Sequence, residues 1–123
     1  MKKGHILLVE DNEGDIFMTR EAFEDFKIKN KISVARDGKE AIDFLLKENK
    51  YKEIEDPDLV ILDINLPKKS GHEVLKSIKE NPKTQHIPVI MLSTSSSEKD
   101  ITLSYQNRAN CFITKPIEAE EFM

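Results

Sequence analysis

Hydrophobic and polar positions along this chain come in blocks rather than in strict alternation. Ile6-Leu7-Leu8-Val9 is an unbroken apolar run, the pattern of a strand buried on both faces. Residues 15–26 then follow a helical spacing, with Ile16, Phe23 and Phe26 on one face. Ile32-Ser33-Val34 predicts a shorter strand. Asp37-Gly38 opens a helix whose apolar Ala41, Ile42, Leu45 and Leu46 recur at one-turn intervals. Residues 49–58 form a charged connection ending in Asp56-Pro57-Asp58. Leu59-Val60-Ile61-Leu62 is the clearest buried strand. The helix predicted over 71–80 turns Val74, Leu75 and Ile78 inward and stops at Asn81-Pro82. Val89-Ile90-Met91-Leu92 is a strand behind Pro88. A weaker helix covers 97–106, with Ile101 and Tyr105 one turn apart. Cys111-Phe112-Ile113-Thr114 is the last strand, and a final helix begins at Glu118.

Five strand-then-helix units predict an α/β fold: a parallel sheet covered on both faces and doubly wound by right-handed crossovers. No repeat, low-complexity stretch or second domain interrupts the pattern, so residues 1–123 read as one domain.

Composition narrows the function. Nineteen basic and 23 acidic residues give a formal net charge of −4. That mild acidity argues against nucleic acid as the main partner, because a phosphate backbone demands a basic face. A single cysteine, Cys111, allows no internal disulfide and suits a reducing compartment. The first apolar run is too short for a signal peptide or a membrane span. The expected setting is the cytoplasm, with no membrane partner.

In a doubly wound sheet, ligands bind beyond the carboxyl ends of the strands. The residues that lie there are Glu10-Asp11 after strand one, Asp63 after strand three, Ser93-Thr94 after strand four and Lys115-Pro116 after strand five. Clustered carboxylates repel: at about 4 Å and an effective dielectric near 20, each like-charged pair costs about 4 kcal/mol. Lys115 offers one compensating charge. A hard divalent cation with oxygen ligands would supply the rest, and Mg²⁺ fits a site of few carboxylates and several waters. With no His or Cys in the pattern, zinc does not fit. Metal, lysine and hydroxyl around one carboxylate suit phosphoryl transfer, with Asp63 as nucleophile and an aspartyl phosphate as product.

These residues sit in recognisable runs: Leu7-Leu8-Val9-Glu10-Asp11-Asn12, Leu62-Asp63-Ile64-Asn65-Leu66-Pro67 with Gly71, Leu92-Ser93-Thr94, and Thr114-Lys115-Pro116. In this order and spacing they resemble the response-regulator receiver domains of two-component systems. Asn12-Glu13-Gly14-Asp15, the charged connection before strand three and Ala109-Asn110-Cys111-Phe112 resemble, more narrowly, the stand-alone receivers that serve bacterial phytochrome-type histidine kinases.

The resemblance implies a flavodoxin-like fold with five parallel strands in the order 2-1-3-4-5. It implies that Asp63 is the phosphoacceptor. Asp11 is the direct Mg²⁺ ligand, Glu10 acts through a metal-bound water, and the backbone carbonyl of Asn65 completes the metal site. Ser93 bonds the phosphoryl group, Lys115 pairs with its oxygens, and Phe112 is the aromatic switch that turns inward when Ser93 moves. A sensor histidine kinase would donate. With no output domain following, the readout would be docking to a downstream protein or onward phosphotransfer. A homodimer through the face from Ser97 to Phe122 is a further implication, as is a last helix that stops short of the family's length.

Three positions depart from the common pattern. Glu10 replaces the more usual Asp, Thr94 is larger than the usual Ala or Gly, and Phe112 lacks the hydroxyl of the usual Tyr. Two other functions share some of the residues. A haloacid-dehalogenase-like phosphatase would also place Asp63 before Ser and Lys. Its second acid belongs two residues on, where Asn65 stands, and its further acidic pair comes late rather than first. A non-phosphorylated interaction module would have no use for the polar set.

Outside the cluster, simpler roles are expected. Asp15, Asp37 and Asp100 read as helix caps or solvated carboxylates. His5, His72 and His86 have no metal spacing and read as structural or exposed. Cys111 reads as a small hydrophobe. Lys68-Lys69 is a solvated rim pair or a dock for an acidic partner. The serine run 93–97 lacks the glycine of a phosphate-cradling loop, which speaks against flavin or nucleotide.

Overall fold

The computed structural model describes residues 4–25, 30–67, 69–94 and 97–115. Five parallel strands, β1 (Gly4–Val9), β2 (Asn30–Ala35), β3 (Leu59–Asp63), β4 (Val89–Ser93) and β5 (Cys111–Thr114), form one sheet in the order β2-β1-β3-β4-β5. Helices α1 (Glu13–Asp25), α2 (Gly38–Leu45), α3 (Gly71–Glu80) and α4 (Glu98–Gln106) connect them. The sheet order is the expected one. The helix expected from Glu118, the expected core residue Phe26 and the part of the expected dimer face beyond Lys115 lie outside the described residues.

The apolar runs work because each strand buries both its faces. Leu7, Val9, Val60, Leu62, Val89 and Met91 pack against Ala41 and Phe44 of α2 and Val74, Leu75 and Ile78 of α3. The intervening Ile6, Leu8, Ile61, Leu92 and Ile113 pack on the other face with Ile16, Ala22 and Phe23 of α1. Truncating a wholly buried member such as Leu62 would cost about 2–5 kcal/mol.

The register fixes the functional edge. Val9 pairs with Leu62 and Asp63 with Leu92, while Ser93 pairs with Thr114. The residues following β1, β3, β4 and β5 therefore end level with one another.

Local chemistry shifts several element ends. Asn12 accepts the Asp15 N–H on its Oδ1 at 2.9 Å, so α1 starts at Glu13, ahead of the expected Asp15. Asp37 caps α2 as expected, accepting the Glu40 N–H at 2.8 Å. Ser70 caps α3 through the Glu73 N–H, and Ser97 caps α4 through the Asp100 N–H. Asp100 is thus not a cap; its carboxylate takes a hydrogen bond from His72 Nε2 at 3.2 Å instead, tying α3 to α4. Tyr105 is half exposed and lies off the packed face of α4. The charged connection contains a short 3₁₀ turn, Asn49–Tyr51, held by the Tyr51 hydroxyl donating to Glu40 at 2.7 Å.

Candidate functional site

Glu10, Asp11 and Asp63 converge beyond the β1 and β3 ends. One carboxylate oxygen from each lies within 4.8 Å of the others. Glu10 and Asp63 are buried and Asp11 is exposed, so the cluster opens to solvent on one side. Glu10 is held by its own strand end: its N–H donates to the Ala35 carbonyl, and its Oε1 accepts the Asn12 N–H at 3.2 Å. Asp63 Oδ1 accepts the Asn65 N–H at 3.1 Å.

Lys115 closes the buried side. Its backbone N–H donates to the Ser93 carbonyl at 2.7 Å, which aims the side chain across the edge of the sheet. Its Nζ donates to Asp63 Oδ2 at 3.1 Å and to Asp15 Oδ2 at 2.9 Å. It also lies 2.6 Å from Glu10 Oε2, a buried oxygen with no aligned hydrogen bond among the described residues.

This crowding acts on the acids and the base together. Burial pushes the Glu10 carboxyl up to about 7; the Lys115 ammonium works against that rise, and Asp63 adds to it. Burial alone would lower Lys115, but the carboxylates of Glu10, Asp15 and Asp63 outweigh it and raise its pKa, so it stays charged.

The donor set is all oxygen, which suits a hard divalent cation rather than zinc. Octahedral ligands about 2.1 Å from Mg²⁺ stand about 3 to 4 Å apart. Small side-chain movements would bring the three carboxylates to that spacing. One ammonium, 2.6 Å from Glu10 Oε2, stands against the three carboxylates of the cluster and leaves negative charge for an ion to balance. The residues present fit such an ion.

Ser93 is buried at the end of β4, level with Asp63, and Thr94 beside it is exposed. Asn65 sits exposed at the rim. Phe112 is half buried on β5, against the α2–α3 side of the core. Of the residues read as incidental, Asp15 belongs here: its carboxylate faces Lys115. A signal was present, since the first turn of α1 follows Asp11 directly and overhangs the same sheet edge. His5 is buried and bonded to Ser33, and His86 is exposed, both apart from this edge. Cys111 is half buried against the α1 side of the core. Lys69 is half buried at the rim; Lys68 is outside the described residues.

Comparison with known proteins places this arrangement. Residues 6–123 match the family model described as the response regulator receiver domain. The chain is 43% identical over 110 residues to response regulator Rcp1 of Synechocystis sp., covering 89% of this chain and 75% of Rcp1. A crystal structure of the phosphorylated cyanobacterial phytochrome response regulator RcpA superposes with a TM-score of 0.89 at 43% identity, over 98% of this chain and 86% of that one. The Mn²⁺-bound form of Rcp1 gives 0.86 at 40% identity, over 96% and 85%.

The chain belongs to the response regulator receiver domain family of two-component signalling. The match leaves the phosphatase reading without support. Among the described residues, no helix is long and apolar enough to cross a membrane.

Proposed function

We propose that Asp63 accepts a phosphoryl group from the phosphohistidine of a sensor histidine kinase, in a Mg²⁺-dependent reaction at the Glu10–Asp11–Asp63 cluster. The carrying observation is the gathering of opposite charges around one carboxylate: Glu10 and Asp11 lie beside Asp63, and the Lys115 ammonium bridges Glu10 and Asp63. The Mn²⁺-bound relative supports a divalent ion at such a cluster.

A carboxylate oxygen of Asp63 attacks phosphorus, and the bond from phosphorus to the donor nitrogen breaks. Glu10, Asp11, Asp63 and the carbonyl of Asn65 would hold the ion, which when bound neutralises charge on the phosphoryl oxygens. Lys115 turns an N–H from Asp63 to one of those oxygens, and the buried Ser93 hydroxyl bonds another. Phe112, which pairs with Met91 in the β4–β5 ladder two residues before the Ser93–Thr114 pair, follows Ser93 inward and changes the surface around α4 and β5. A partner protein reads that surface, or the phosphoryl group passes on. The phytochrome response regulators among the relatives support a phytochrome-type kinase as donor. The cytoplasm is where such a kinase presents its phosphohistidine. The face from Ser97 to Phe122 would serve a homodimer.

Incubation with acetyl phosphate, with and without Mg²⁺, beside Asp63→Asn, tests the reading by intact mass. One added phosphoryl group that requires both Mg²⁺ and Asp63 supports it. No adduct in any condition would leave an interaction module that does not accept phosphate.

A further inference from the structure

Lys115 divides its ammonium among three carboxylates. Two of them, Glu10 and Asp63, are also the buried members of the cation cluster; Asp15 is not a member. Whatever share of the ammonium rests on Glu10 and Asp63 competes with a divalent ion for the same oxygens.

Asp15 is built to take a share. Asn12 Oδ1 holds its N–H at 2.9 Å, and its carbonyl accepts the Thr19 hydroxyl at 2.8 Å, so its backbone is fixed in the first turn of α1. Its Oδ2 meets Nζ at 2.9 Å, between Glu10 Oε2 at 2.6 Å and Asp63 Oδ2 at 3.1 Å, so the ammonium is divided among all three. The lysine is 9% exposed and pinned at its own backbone by Ser93, so it has little room to swing elsewhere. Asp15 itself is one-third exposed, which makes its bare field at the cluster weak compared with its direct contact.

We propose that Asp15 is a positioning residue for Lys115: it draws the ammonium towards α1 and so keeps Glu10 and Asp63 available to the divalent cation. This rests on the phosphoacceptor reading above. When the phosphoryl group arrives, the Asp15 contact is the one that persists, while the Asp63 contact is exchanged for a phosphoryl oxygen. Without Asp15 the ammonium rests on Glu10 and Asp63 alone and obstructs the ion more.

Mg²⁺ affinity, titrated by amide NMR or calorimetry on the metal-free chain, tests this in a double-mutant cycle. Asp15→Asn and Asp15→Ser should each weaken Mg²⁺ about three- to tenfold, and Asp15→Glu, which still reaches Nζ, should stay within about twofold of wild type. In a Lys115→Met background, with Lys115→Gln as a second background should Met disturb the fold, Asp15→Asn should change the affinity less than about twofold. Equal losses with and without Lys115 would show a field effect and overturn the proposal, as would no loss at all. Wild-type protein that binds no Mg²⁺ would overturn the phosphoacceptor reading and this proposal with it. Wild-type binding with an unchanged Asp15→Asn would overturn this proposal alone.

Discussion

Gly71 meets Asp63 backbone to backbone. A Cβ on Gly71 would stand 2.6 Å from Ile64 Cα and closer still to the Asp63 carbonyl oxygen, while the Gly71 N–H donates to the Ile64 carbonyl at 2.8 Å. The start of α3 is thus folded down onto the end of β3, and only glycine leaves room. Its neighbours there are backbone, which cannot step aside as a flexible side chain would. Gly71→Ala is expected to cost about 1–3 kcal/mol by overpacking, read from chemical denaturation. It should also slow acetyl phosphate labelling, because the strain falls on the Asp63 peptide. Wild-type stability in that variant would contradict the contact.

Glu10 makes the metal-free protein pH-sensitive. Burial raises its folded-state pKa to about 7 from an ordinary 4.5. A raised acid binds its proton more tightly folded than unfolded, so its contribution is fully present below about 4.5 and is lost as pH rises through about 7. The melting temperature without Mg²⁺ should therefore rise as pH falls from 8 to 5, and Glu10→Gln should flatten that slope. Saturating Mg²⁺ should oppose it, because ion and proton compete for the same carboxylate. A slope unchanged in Glu10→Gln would assign the effect elsewhere.

Lys79, at the far end of the fold, offers a control. It is buried, and its ammonium donates to the carbonyls of Ile87 at 2.7 Å and Gln85 at 3.2 Å, tying the end of α3 to the turn before β4. Lys79→Met should cost about 1–3 kcal/mol through the carbonyls left without a donor. Labelling of Asp63 in the folded variant should stay within about twofold of wild type. A large loss of labelling at unchanged stability would mean that this end of the sheet communicates with the site.

The strands and the central charges were legible in the sequence for one physical reason. A parallel sheet buries both faces, so its strands appear as unbroken apolar runs, and the polar residues that end or follow each run must lie at the edge. Glu10, Asp63, Ser93 and Lys115 all follow from that. Residues in the first turns of helices were not legible in the same way, because a cap, a solvated carboxylate and a site residue share one composition. Asp37 is a cap. Asp15, capped by Asn12, turns its carboxylate to Lys115, and Asp100, capped by Ser97, turns its own to His72. What separates the three is position relative to the cap: Asp37 is itself the cap residue, while Asp15 and Asp100 each stand three residues after one. The half-exposed Tyr105 belongs with these cases, since a pair of apolar residues one turn apart does not say which way a short helix faces.

Asp63 is the residue proposed to form the acyl phosphate. The most direct measurement is to treat the Mg²⁺- and acetyl-phosphate-labelled chain with borohydride, which reduces an aspartyl phosphate to homoserine, and to read position 63 by tandem mass spectrometry. The account predicts homoserine at 63, absent without Mg²⁺ and absent from Asp63→Asn. Homoserine at Asp11 or Asp15, 5-hydroxynorvaline at Glu10, or neither anywhere in a protein that gains the phosphoryl mass, would contradict it.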